Sequence, residues 1–346
     1  MTGMNFLIVE PCELDGKKSG RGARGKNLKL FLDAYFGRKS TSLISLKELH
    51  GSNSYCVDHL FIGIPSTISK DDLKRISFGR LHLFDYGDHE KVIWGQSDKD
   101  LLWPLAHSYL KSWTDEDWGD EFNWGALPIR RSKSLYLCVK ANNLLDRILD
   151  PSRNRPVDTT FLGNPVVGWK EVYGNESKYT RVHWLDEISS SSRFTFSGGF
   201  FMRGRDAETF RFNASEKLKP LFLQKGRINF LSYFNLMLNS KTALAPPGNA
   251  LWSYRHYESI YAGTIPISAD FSRADMLVPL PKGGMIHVGK GESVLPYVDQ
   301  ALKVRKDDPR LPSKNLESLE KYLTNGLYDR KKSLLLERFM KQIEEG

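Results

Sequence analysis

Short β-rich runs separated by helix-length segments recur along almost the whole chain, and that alternation restricts the fold more than any other feature. Asn5 to Glu10 reads as a strand, Asn27 to Phe36 as a helix, and Thr41 to Leu46 and Val57 to Pro65 as strands. RISFGRLHLFDYGD adds a strand ending near Phe84, and SLYLCVK (Ser134 to Lys140) resumes the pattern. Strands reached through helices pair in parallel and are covered on both faces, so the pattern predicts an α/β fold with parallel sheets. Leu149 to Asp158, LDPSRNRPVD, lacks apolar periodicity, carries two prolines and marks a domain junction. Behind it the alternation restarts with Thr159 to Gly163, then RVHWLD, RFTFSGGFFMRG and a helix from Phe230 to Leu238. TIPIS, MLVPL and MIHVG follow as short strands. Helices around Leu316 to Leu323 and Tyr328 to Ile343 come last, the latter aligning Leu334, Leu335, Phe339 and Ile343 on one face. Two α/β domains are expected, 1–150 and 158–325, with a helix in 326–346 placed to pack back on the first.

A chain of 346 residues with 40% hydrophobic and 26% charged residues can bury two cores of ordinary size. Its formal charge of +9 favours anionic partners: nucleotide phosphates, nucleic acid or a polyanionic acceptor. Cys12, Cys56 and Cys138 show no metal-ligand spacing and read as reduced thiols. MTGMNFLIVEPCELDG lacks the features of a signal peptide, and no apolar run reaches the length of about 18 residues that spans a membrane. A cytoplasmic protein without a transmembrane segment is expected.

Gly20 to Gly25 (GRGARG) matches G-x-G-x-x-G, with Glu48 spaced as an acidic ribose ligand. A dinucleotide fingerprint follows its strand directly, whereas about nine residues intervene here. Lys18, Arg21 and Arg24 crowd the loop, which better suits contact with an anion than NAD or FAD binding. Trp94, Trp103, Trp113, Trp118 and Trp124 surround Asp115-Glu116-Asp117. They read first as packing aromatics and second as a sugar platform. Asp115-x-Asp117 resembles a metal-binding pair, but no strand delivers it into a pocket, so no metal site is expected.

LAPPGNALWSYRHYESIYAGTIPI (Leu244 to Ile267) carries the most chemistry. Pro246-Pro247-Gly248 stops a strand, and Gly248 and Asn249 can turn backbone N–H groups toward an anion. Ser253 is placed as the N-cap of a helix over Tyr254 to Tyr261, on which Arg255 and Glu258 are i, i+3 neighbours. Arginine grips phosphate oxygens with a planar fork, and a carboxylate accepts two sugar hydroxyls. On spacing alone, a surface ion pair ahead of a helix-ending Gly263 is equally compatible.

The residues Ser240, Lys241, Leu244, Pro246, Gly248, Trp252, Ser253, Arg255, Glu258, Gly263, Pro266 and Ile267 form a pattern that resembles the donor-nucleotide motif of exostosin-like glycosyltransferases. That resemblance implies the GT-B architecture, with two Rossmann-like domains facing each other across a cleft. It makes 1–150 the acceptor side and 158–325 the nucleotide-sugar side, with UDP-sugars favoured. By the same similarity Glu258 would bind the ribose, Arg255 the diphosphate, and Gly248 would line the pocket. VDTTFLGN resembles the first strand and glycine turn of a donor domain, giving Gly163 a close approach to the ligand. Where the family has a basic residue in P-R-G, Pro247 stands here, so the missing phosphate contact is sought in Arg227, Lys241 or the N-terminal basic loop. The family mostly inverts the anomeric centre and needs no bound metal or other cofactor.

Inversion requires a base for the acceptor hydroxyl. The turn after the strand ending at Phe84 offers Asp88, then His89, then Asp85, while the early loop offers Glu10, Glu13 and Asp15. The acceptor is expected to be a glycan, with a hydroxymethylated base of viral DNA as an alternative. A non-enzymatic nucleic-acid-binding protein is the remaining class, disfavoured because aromatics and basic loop are separated in the sequence.

Overall fold

The computed structural model describes residues 3–10, 25–51, 54–86, 96–119, 123–128, 150, 152–165, 170–202, 211, 214–225, 228–247, 251–323 and 333–345. The chain forms two units, one of residues 1–130, 273–279 and 321–346, the other of 131–272 and 280–320. The described helices are α1 (Gly25–Phe36), α2 (Leu46–Gly51), α3 (Lys70–Leu73), α4 (Gln96–Leu101), α5 (Lys170–Ser190), α6 (Phe230–Leu238), α7 (Tyr254–Tyr261), α8 (Leu295–Asp307), α9 (Leu311–Leu323) and α10 (Leu334–Glu344).

Strands β1 (Phe6–Glu10), β2 (Thr41–Ser45), β3 (Tyr55–Gly63), β4 (Ile76–Asp85), β5 (Ala106–Lys111), β6 (Thr114–Asp115) and β7 (Asn123–Ala126) belong to the first unit. All but β6 pair in parallel, in the order β2-β1-β3-β4-β5-β7. Phe6, Leu7, Ile8 and Val9 are all buried, as a central strand covered on both faces requires. Leu28, Leu32 and Tyr35 of α1 recur at helical spacing and are buried. On α10 the buried residues are Leu335, Leu336, Phe339 and Ile343, while Leu334 is exposed; Leu336 takes the place the sequence reading gave to Leu334. Phe339 meets Phe31 edge-on at 5.0 Å, and Ser333, the N-cap, shares a 2.8 Å hydrogen bond with Tyr35.

A polar row crosses the interior of this sheet. His59 Nδ1 lies 2.9 Å from His82 Nε2, and His82 Nδ1 lies 2.8 Å from Ser108 Oγ. Burial pushes His59 down to about 4 and His82 well below the ordinary histidine value, so both are neutral at pH 7.

The second unit holds β8 (Val157–Gly163), β9 (Phe196–Met202), β10 (Phe222–Lys225), β11 (Ser240–Ala245), β12 (Ile265–Ala269) and β14 (Ile286–Val288). They form a parallel sheet in the order β10-β9-β8-β11-β12-β14. Counted from its first strand this is 3-2-1-4-5-6, the Rossmann order; the first sheet follows 2-1-3-4-5-6, the flavodoxin-like order. Both sheets are thus of the α/β class expected for two Rossmann-like domains. In β9, Gly198 (φ 127°) has no room for a side chain, because a Cβ there would stand 1.9 Å from the Phe161 carbonyl oxygen.

Two strand expectations fail. RVHWLD lies within α5, where Trp184, Leu185 and Ile188 are buried against the sheet. Met276 to Leu280 forms no strand, although Met276, Leu277 and Val278 are buried. Only β13 (Ala274–Asp275) pairs, antiparallel to β6, as part of the first unit. Arg273 reaches Asp115 and Asp117, and Arg338 meets Asp275 at 2.7 Å. The carboxylate pair that resembled a metal site therefore holds an arginine. Trp113, Trp118 and Trp124 form a chain of edge contacts at 5.0 Å spacing, in keeping with their reading as packing aromatics.

Candidate active site

In a parallel open sheet, ligands bind outside the carboxyl ends of strands, at the point where strand order reverses. In the second sheet that point lies between β8 and β11, which end at Gly163 and Ala245. The helix that follows β11 is α7. Its N-cap is Ser253, whose amide donates to His256 Nδ1 at 2.9 Å. His256 Nε2 then donates to Ser268 Oγ on β12 at 2.7 Å, and burial pushes this histidine down to about 3. Trp252, Tyr257, Ile260 and Tyr261 are buried and fix the helix on its sheet. Gly263 (φ 66°) ends α7 in the left-handed region, and Arg155 and Arg305 bond the carbonyls of Ala262 and Gly263.

Arg255 and Glu258 stand on this helix without forming an ion pair with each other. Tyr233 of α6 donates its hydroxyl to Glu258 Oε2 at 2.7 Å, leaving the second oxygen available. Burial, together with the Glu258 charge, raises the Tyr233 phenol, so it remains a donor. The Arg255 guanidinium lies 4.5 Å from the centre of the Phe161 ring and donates to the Leu162 carbonyl at 2.8 Å. Its Nε is enclosed without a partner among the described residues. A methyl at Gly163 would stand 2.6 Å from Arg255 Nη2, so the glycine makes room for the guanidinium.

Gly163, Ser253, Arg255, Glu258 and Pro246, at the end of β11, are thus brought to one strand-end region by β8, β11 and α7. Gly248, Asn249, Arg227, Asp88, His89, Lys18, Arg21 and Arg24 lie outside the described residues. Lys241 stands at the opposite end of β11, where it pairs with Asp158 at 2.7 Å; that removes it from the phosphate candidates. Glu48 accepts the Ser45 amide and hydroxyl as a helix-start contact on an exposed surface, not as a ribose ligand. Asp85 ends β4 and forms a buried 3.1 Å ion pair with Lys111, whose ammonium also lies over Trp118. Glu10 ends β1, and burial raises its carboxyl against the pull of the Gly25 and Lys26 amides.

Sequence reasoning missed Arg181. From α5 its Nε donates to the Pro247 carbonyl at 3.0 Å and its Nη1 to the Asn164 carbonyl at 3.1 Å. Burial and the neighbouring Arg255 charge pull it down to about 9, so it stays charged at neutral pH. The signal was hidden because RVHWLD reads as a strand when no apolar stripe runs through the preceding Gly174-Asn175-Glu176-Ser177.

Among the described residues no three His, Cys, Asp or Glu side chains converge as metal ligands would, and no helix is long and apolar enough to cross a membrane. No protein family and no curated protein matches the chain. Among solved structures, it is similar to the pneumococcal O-GlcNAc transferase GtfA in complex with UDP and GlcNAc (10% identity, 86% of this chain and 59% of that one, TM-score 0.45). It is also similar to an α,α-trehalose-phosphate synthase (UDP-forming) from Burkholderia vietnamiensis (10% identity, 99% and 100% covered, TM-score 0.48). A third is WaaG, a glycosyltransferase involved in lipopolysaccharide biosynthesis (11%, 99% and 100%, TM-score 0.40). The chain spans about three fifths of the GtfA chain.

Proposed function

We propose that this chain is a glycosyltransferase of GT-B architecture, related to the exostosin-like enzymes. It would take a nucleotide sugar, UDP-sugars first, and pass the sugar to a glycan hydroxyl with inversion and without a bound metal. One observation carries the reading: Arg255 and Glu258 stand at the switch point of the second sheet unpaired with each other, each with bonding capacity left over. The motif resemblance names the ligand halves that fit them. Glu258, held by Tyr233, accepts ribose hydroxyls through its remaining oxygen. Arg255, seated on Phe161, offers its fork to the diphosphate.

Transfer makes a bond from the acceptor oxygen to the anomeric carbon and breaks the bond from that carbon to the diphosphate oxygen. Negative charge grows on the leaving nucleoside diphosphate, where a fixed guanidinium stabilises it more than in the ground state. The hydroxyl proton passes to a carboxylate or imidazole of the first domain, for which Asp88 is the first candidate and His89 the second. Asp85 ranks lower, because Lys111 already holds its carboxylate.

Calorimetric titration of UDP, GDP, CMP and NAD into wild type and Glu258→Ala tests the class. Binding of a nucleoside diphosphate that is lost in Glu258→Ala is expected. No such binding, or binding indifferent to Glu258, overturns the reading. A hydrolysis screen over nucleotide sugars then names the donor without knowledge of the acceptor.

A further inference from the structure

A cavity of about 640 Å³ opens beside the amino end of β1, and its lining includes Asn5, Asp58, His59, Arg80 and Glu344. All five belong to the first unit. Pockets that hold small molecules run from roughly 300 to 1,000 Å³. This one lies away from the carboxyl strand ends, where an open parallel sheet ordinarily binds its ligand. Its charged groups do not neutralise one another: among the described residues, Asp58, Arg80 and Glu344 take part in no ion pair. Asp58 Oδ2 accepts the Asn5 amide at 2.7 Å, and Arg80 Nη1 donates to the Ile343 carbonyl at 3.2 Å. Those bonds hold the two heads in place and leave one carboxylate oxygen and most of the guanidinium donors unspent.

His59 is 4% exposed and commits Nδ1 to His82, which in turn meets Ser108. Its Nε2 has no partner among the described residues and is left to the cavity. With both imidazoles neutral, the Ser108 hydroxyl decides what that nitrogen offers. When Ser108 donates to His82 Nδ1, His82 donates to His59 Nδ1 and His59 Nε2 carries a proton. When Ser108 accepts, the row reverses and Nε2 is an acceptor.

These groups select by what they exclude. A phosphate would face two carboxylates, and a simple cation would face the guanidinium. Asp58, His59 and Glu344 do not converge as metal ligands would. A hydroxyl both donates and accepts, so neighbouring hydroxyls on one ring satisfy an acceptor-only carboxylate and a donor-only guanidinium side by side. An imidazole that presents either function meets such a hydroxyl whichever way it turns. An α-amino acid also matches the mixed charges but is small for the space. We propose that this cavity is a carbohydrate-binding subsite, in which Asp58 and Glu344 accept sugar hydroxyls, Arg80 donates to them and His59 Nε2 meets one more. The subsite does not depend on the nucleotide-sugar reading of the second sheet.

The test is an NMR titration of methyl α-glucopyranoside, methyl α-galactopyranoside, N-acetylglucosamine, maltose and maltotriose into wild type, Glu344→Gln and Arg80→Gln, with glycine, lysine and UDP as controls. At least one saccharide is expected to bind wild type with a Kd on the order of 1 mM. Glu344→Gln and Arg80→Gln should each weaken that binding roughly three- to tenfold, as loss of a charged hydrogen-bonding group does at a half-exposed site. The His59 ring nitrogens should shift with the saccharide and stay still with UDP. Any UDP affinity should remain within about twofold in both variants. No saturable saccharide binding below about 20 mM overturns the subsite without any variant, so a misfolded variant does not remove the test. Saccharide binding indifferent to both Glu344 and Arg80 also overturns it. Binding of glycine or lysine in place of the saccharides, with the same dependence on the two residues, overturns the carbohydrate class. Saccharide binding that depends on both residues, in a protein that takes up no UDP, upholds the subsite and counts against the nucleotide-sugar reading alone.

Discussion

At the carboxyl edge of the first sheet Lys111 is met by Asp85 at 3.1 Å and by the face of Trp118. At the same edge of the second sheet Arg181 and Arg255 rest on backbone carbonyls and the Phe161 ring. Both edges gather charge, buried at the first and half-buried at the second, but among the described residues only the first meets it with a carboxylate. A lysine paired with its own acid fixes a fold. Guanidiniums held by neutral groups stay in position while keeping their charge for something else. The same contrast appears in the acids: Glu258 is oriented by a neutral phenol, whereas Asp85 is held by a cation.

Lys111→Met should break the comparison most severely. It leaves Asp85 buried beside a methionine, and orphaning one partner of a buried pair costs about 3–5 kcal/mol. Urea unfolding should show that loss, and the double variant with Asp85→Asn should recover part of it. Arg255→Met should cost at most about 1 kcal/mol of stability, the scale of its cation–π contact, while abolishing nucleotide affinity. Comparable destabilisation by both variants would erase the distinction between the two edges.

Acid titration asks whether the two units differ in their interiors as they do at their edges. His59 and His256 have folded values pushed below the unfolded value of 6.5, to about 4 and about 3. The unfolded chain therefore takes up protons first as pH falls. Stability is intact above pH 6.5, declines through the window below it, and stops responding to each group below its folded value. Each should contribute roughly 1–3 kcal/mol to that loss. Unfolding free energies from pH 8 to pH 4 should fall with a slope that flattens in a His59→Gln variant.

Tyr233→Phe is a milder perturbation. It removes the donor that orients Glu258 and should weaken diphosphate binding about fivefold, the worth of about 1 kcal/mol, with the fold unchanged. Glu10→Gln should have the smallest effect. The raised carboxyl means that ionisation at neutral pH opposes folding, so the amide should stabilise by roughly a few tenths of a kcal/mol at pH 7 and by nothing at pH 4. Melting curves at the two pH values measure the difference.

The sheets were legible in the sequence wherever a strand is buried on both faces. FLIV and HLFIG admit little other than central parallel strands, because four or five dry positions in a row cannot be amphipathic. MLVPL presents a similar run, yet Pro279 and the short pairing of Ala274 and Asp275 make it an irregular buried segment; apolar character reports burial, not pairing. The donor face was legible because Arg255 and Glu258 share one helix and so have fixed spacing. Arg181 was not, since it reaches the same place from a helix some 70 residues earlier whose first half has no apolar stripe. The partner of Asp115 and Asp117 was illegible for the same reason, since Arg273, which reaches both, lies far along the chain.

The threading of the first unit has a consequence for how the chain is made. The last described strand of its sheet ends at Ala126, but residues 273–279 and α10 belong to the same body, with Met276, Leu277 and Phe339 buried. During synthesis the second unit has all of its residues available once Glu320 has emerged, while the first still lacks the helix that covers Phe31 and Phe61. The half that begins first is therefore the half that finishes last. A fragment ending at residue 130 would present a permanently unfinished apolar face, and a chaperone is expected to hold that fragment but release the whole chain.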